Sequence, residues 1–147
     1  MSVAQGDMRD RRPALRSLAQ HKRFFSVIAA AFNHWPESHN FQPDSSEHLR
    51  AWILCRAGHR TVTTFHLEDD AQTFAKVVPM IIATVLHKHA WCWSKGSDLF
   101  VCVPQSIAFD KMDHKAFCKV CDDVDEVIRV ETGLDPEKLL RETEAAA

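Results

Sequence analysis

Cys118 and Cys121, in the run CKVC, have the spacing of the paired thiolates found in zinc sites and dithiol redox motifs. A tetrahedral zinc site needs two further ligands and usually draws them from a second tight pair. No second CxxC is present. His87, His89 and Cys92 form one alternative set, but they fall at a predicted helix-to-strand junction, and Lys88 between the histidines opposes a cation. Cys55, His59 and His66 spread over a predicted helix end and a strand, with no standard ligand spacing. Helical phase explains the CKVC pair without a metal. With Asp113 as N-cap, Phe117, Val120, Cys121, Val124, Val127 and Ile128 share one apolar stripe, with Cys121 inside it and Cys118 at its edge. Buried cysteine packs as a small hydrophobe. The expectation is no metal, no cofactor and no disulfide exchange.

Catalytic patterns are missing as well. The nine histidines include none in a nucleophile motif, and the chain has no GxSxG, no HExxH and no phosphate-binding glycine loop among its four glycines. The neighbouring carboxylates Asp69 and Asp70 precede a predicted helix, where its dipole favours negative charge; Asp122 and Asp123 form a second such pair. These patterns give no catalytic residue, and a non-enzymatic role is expected.

Charge is more informative in its distribution than in its net value of -2. Arg9, Arg11, Arg12, Arg16, Lys22 and Arg23 stand against Asp7 and Asp10 near the start, whereas nine acidic residues face three basic ones from Asp122 to Glu144. Arg11, Arg12, Arg16, Lys22 and Arg23 are the candidate phosphate contacts, with Trp91 and Trp93 as candidate stacking surfaces for single-stranded nucleic acid. A composition of 46% hydrophobic and 26% charged residues is that of a folded globular chain. No apolar run is long enough to span a bilayer, the start lacks a signal-peptide core, and five cysteines are an odd number for a disulfide framework. A cytoplasmic protein with reduced thiols and no membrane contact is expected.

The elements that must position these residues follow from periodicity. Ser17 and Gln20 read as a capping box opening a helix whose stripe is Leu18, His21, Phe25, Ile28, Phe32 and Trp35, closed by Pro36. Asp44 and Glu47 open a second helix with Leu49, Trp52 and Ile53 buried, and Gly58 suits the left-handed position after its end. RTVTTFHL is a strand by its β-branched alternation. Phe74, Val77, Val78, Ile81, Ile82 and Val85 hold a helical period across Pro79, which predicts a kink or two helical pieces there. AWCWSKGSDLFVCVP is a hairpin turning at SKGS and ended by Pro104. The fold class expected is α+β: a single compact domain with a small, mostly antiparallel sheet, a strand plus a hairpin, covered by four to five helices. Its organisation is expected to be a basic flexible arm over 1–16, a core over 17–133 and an acidic helical tail over 134–147.

Two segments, RSLAQHKRFFSVIAAAFNHWPE and the corner PQSIAFDKMDHKAF, together with AGH after the second helix, resemble a family of small uncharacterised proteins of tailed phages and prophages. The first helix is also similar, more distantly, to phage recombination mediators that bind single-stranded DNA. The resemblance implies a setting in a bacterial host cell and carries over no catalytic residue. Two partners follow: DNA, single- or double-stranded, in replication or recombination, or a host defence or replication protein bound by an anti-CRISPR-like inhibitor. Homodimer formation is a further option.

Overall fold

A computed structural model describes the backbone of residues 2–108 and 112–146 and the side chains of 18–108 and 112–145. Among the described residues are five helices and a three-stranded antiparallel sheet, an α+β mixture as the periodicities require. The residues group into two compact units, one of residues 1–46 and 106–147 and the other of 47–105.

The first unit is helical. α1 (Ser2–Asn33) packs with α4 (His114–Thr132) and α5 (Pro136–Ala146). Because α1 already begins at Ser2, Ser17 and Gln20 lie inside it and do not cap it; the stretch read as an arm is part of this helix. Its buried stripe includes Phe24, Val27, Ile28 and Ala31, with Trp35 buried just past its end, whereas Leu18 and Phe25 are 60% and 42% exposed. The shift has a simple origin: Phe24 and Phe25 are adjacent and equally bulky, and packing on Phe117 of α4 selects Phe24. Phe24 meets Phe117 edge to face at 5.7 Å. Trp35 donates from Nε1 to the Phe41 carbonyl at 2.8 Å.

α4 starts as expected. The Asp113 carboxylate accepts from the Ala116 backbone N–H at 2.8 Å, satisfying one of the donors that a helix start leaves open. Gly133, with φ of 72°, closes it in the left-handed conformation and donates to the Arg129 carbonyl. Phe117, Val120, Val124 and Ile128 are buried. Cys121, expected inside that stripe, is only half-buried, as is Cys118. At about 100° per residue, Cys121 sits roughly 50° from the stripe's centre, on its flank. α5, read as an acidic tail, buries Pro136 and Leu139 and packs on α1.

The second unit is built as helix, strand, helix, hairpin. α2 (Ser46–Arg56) buries Leu49, Ala51, Ile53, Leu54 and Cys55, and Gly58 follows with φ of 90°. Trp52, expected on the buried face, is half-buried beside the Arg56 guanidinium. β1 (Arg60–His66), β2 (Trp91–Lys95) and β3 (Asp98–Pro104) form one sheet in the order β1-β3-β2. β3 is antiparallel to both neighbours, so β1 and β2 run parallel, joined by α3 (Ala71–Leu86). The hairpin pairs Lys95 with Asp98 and turns on Gly96 and Ser97, a two-residue loop in which Gly96 takes φ of 62°. α3 passes through Pro79 as one helix, and Asp69 and Asp70 precede it, Asp70 holding φ of 60°.

Candidate functional site

The five candidate phosphate contacts all lie on α1, and the side chains of two of them, Lys22 and Arg23, are among the described residues. The side chains of Arg11, Arg12 and Arg16 lie outside the described residues. Lys22 is exposed. Arg23 is half-buried, ion-paired with Asp125 of α4 at 3.4 Å and with Glu137 of α5. Burial works against the Arg23 charge, yet Glu137 and Asp125 outweigh it and raise the pKa. At Asp125 burial dominates and pushes the carboxyl up, with Arg23 and Arg129 opposing. Arg23 therefore reaches a phosphate only by breaking two ion pairs; its geometry is that of a tie among three helices.

Cys118 donates to Gln20 Oε1 at 3.2 Å and lies 3.5 Å from His114 Nε2, one turn earlier on α4. A thiol nucleophile needs a base that a third group orients. Here the Gln20 amide oxygen accepts from the thiol itself. His21 stacks on Phe117 at 4.0 Å, and burial lowers its pKa. Burial, then the Asp125 carboxylate, pushes the Cys121 thiol up to about 12 against the pull of Arg23, which keeps it protonated and unreactive at neutral pH. Among the described residues no three His, Cys, Asp or Glu side chains gather as a cation site.

In the second unit, α2 takes one face of the sheet. The Cys55 thiol neighbours that of Cys102 of β3, and His48 stacks parallel to Trp91 of β2 with ring centroids 6.0 Å apart. Burial, then Cys102, pushes the Cys55 thiol up to about 12. Cys102, Phe100, Trp91 and Trp93 share this face, because alternate residues of a strand point the same way. Trp93 lies parallel to Phe100 at 5.5 Å and is 45% exposed.

The opposite face carries Leu99, which is buried, and Ser94, which lines an open polar pocket of about 380 Å³ with residues 70–73 at the start of α3. α3 packs on β2 and β3 and leaves β1 uncovered. Ala71, Ala75, Val78 and Ile82 form its less exposed side. Phe74, Val77, Met80, Ile81 and Val85 are 40% to 67% exposed. All seven residues of β1 are exposed, including Val62 and Phe65. The two-residue period of the ladder also fixes where β1's backbone points. His59 accepts from Gln105 N–H and Leu67 donates to the Ser97 carbonyl, so odd-numbered residues bond to β3. The N–H and C=O groups of Arg60, Val62, Thr64 and His66 point away from the sheet, along an edge that pairs with no other strand among the described residues.

This edge and helix face escaped the sequence reading, although a signal existed. Phe74, Val77, Val78, Met80, Ile81, Ile82, Val85 and Leu86 span more than one side of a helix, more than a small sheet can cover. No family model, curated protein or solved structure matched the chain.

Proposed function

We propose that this chain is a non-enzymatic binding module that works by protein–protein contact, using the second unit's α3 stripe and β1 edge. The observation that carries the reading is the exposed run Phe74, Val77, Met80, Ile81 and Val85 beside a strand with open backbone groups. Contiguous apolar surface of this kind marks interaction sites in soluble proteins, and an open strand edge supplies directional hydrogen bonds to a protein backbone. The resemblance to small tailed-phage proteins suggests the setting: an accessory factor in the cytoplasm of a bacterial host, with a host defence or replication protein among its targets. Affinity capture from bacterial cells tests this. Wild type and Lys22→Glu should retain the same bound protein, and Ile81→Glu with Val85→Glu should lose it; capture indifferent to the α3 changes would contradict the reading.

A second reading, binding of single-stranded nucleic acid, is favoured by one observation: Trp93 offers a half-exposed indole stacked on Phe100. It predicts affinity that falls steeply with salt and weakens in Trp93→Ala. Salt-insensitive or undetectable binding of single-stranded DNA at low ionic strength would set it aside.

A further inference from the structure

Resting on the protein-contact reading, we infer that the occupant of the β1 edge is a second copy of this chain, pairing β1 to β1 antiparallel about a two-fold axis at Thr63. Antiparallel self-pairing needs outward backbone groups that a two-fold can match, and β1 has them. The outward groups belong to Arg60, Val62, Thr64 and His66. These positions are symmetric about Thr63, so a two-fold there matches Arg60 with His66 and Val62 with Thr64, each as a hydrogen-bonded pair. Thr63 then faces Thr63 as a non-hydrogen-bonded pair, and the threonines and valine are good cross-strand partners.

β1 also lacks the devices that keep edges apart. It holds no proline and no lysine, and its register with β3 runs without a bulge from Arg60 opposite Pro104 to His66 opposite Asp98. The other outer strand, β2, is shorter and ends on Lys95. Charge sits only at the ends of β1, so no like charges meet at the axis.

α3 completes the surface. It connects two parallel strands of one sheet, and the right hand that such crossovers take turns its Phe74, Ile81 and Val85 side toward β1 while Gln72 and Lys76 point the other way. Phe65, 48% exposed, lies on the strand beneath. A two-fold at Thr63 puts both α3 stripes on one face of a six-stranded sheet, where they flank the Phe65 rings of the paired β1 strands. From the fractional exposures, Phe65 with Phe74, Ile81 and Val85 offers on the order of 400 Å² per copy before the strand edge is counted, against the roughly 800 Å² per partner of a standard interface.

Sedimentation of the full chain over a range of concentrations, with oxidative cross-linking by copper phenanthroline, tests the proposal. Wild type should sediment at twice the chain mass, and Phe65→Glu, opposite Thr61 of the second copy, should raise the dissociation constant roughly tenfold or more. Thr63→Cys should cross-link to a dimer on a non-reducing gel, since opposed non-hydrogen-bonded positions lie about 4.5 Å apart, within disulfide reach. Phe65→Cys, two residues off the axis, should cross-link no more than wild type. A wild type that stays monomeric, or Thr63→Cys no better cross-linked than Phe65→Cys, overturns the self-pairing. If that monomer still captures a protein from cells in an Ile81-dependent way, the protein-contact reading survives without self-pairing; if it captures none, both fall.

Discussion

Arg23 of α1 stands 3.4 Å from Asp125 of α4, and the same guanidinium also pairs with Glu137 of α5. One cation thus ties three helices of the first unit, at a site where Asp125 is 14% exposed. Charge reversal, Arg23→Glu, gathers three carboxylates there and should cost about 2 kcal/mol, less than a fully buried pair because Arg23 remains partly solvated. Lys22→Glu, next to it and exposed, should lie within about 0.5 kcal/mol of wild type. Urea unfolding of both variants checks the contrast; equal stability would deny Arg23 its structural role.

The N-cap and the core beneath it predict an ordering. Asp113→Ala should cost about 1 kcal/mol, through the lost hydrogen bond to Ala116 N–H. Phe117→Ala should cost about 3 to 5 kcal/mol, because a fully buried ring leaves a cavity. Equilibrium unfolding that reversed the order would mean that the phase of α4 is wrong.

Acid should weaken the first unit through His21. Its pKa is lowered in the folded chain by burial against Phe117, so the unfolded chain takes up the proton first. The stability this neutral ring contributes is present above the ordinary value of 6.5 and is lost as pH falls through the lower folded value. His21→Phe keeps a ring on Phe117 and should flatten the stability profile below pH 6.5. A profile of unchanged slope would count against it.

Alkali should act through the thiols. Cys55 and Cys121 are raised from 9.0 to about 12, so both stay protonated when folded while the unfolded chain ionises. Their contribution is complete below pH 9 and is lost as pH rises toward 12. At pH 7.5 iodoacetamide should leave Cys55 and Cys121 unmodified in the folded chain, which peptide mass analysis reads directly; rapid alkylation of Cys121 would show a thiolate the geometry does not support.

Local signals in the sequence carried the elements well, and the surfaces poorly. Asp113, Gly58, Gly96 and Pro104 each act within a few residues, and each stands where its backbone preference requires. The stripe of α1 was misread because Phe24 and Phe25 are both bulky and only the packing of α4 chooses between them. Arg23 looked like one of a basic set because its partners Asp125 and Glu137 lie over a hundred positions away. Cys55 and Cys102 meet across a helix and a strand that no spacing rule joins. The uncovered side of α3 shows only once the sheet beneath it is known to have three strands, with β1 at the edge.

Amide exchange at single-residue resolution across β1 tests the central claim most directly. In an isolated edge strand the inward amides of Thr63 and Phe65 are protected and the outward amides of Val62 and Thr64 exchange freely. If β1 is a protein-contact edge, Val62 and Thr64 should become as protected as Thr63 and Phe65 when wild type is concentrated or bound to its captured partner, and Ile81→Glu should restore fast exchange at Val62 and Thr64 alone. Fast exchange at Val62 and Thr64 under every such condition would contradict the account.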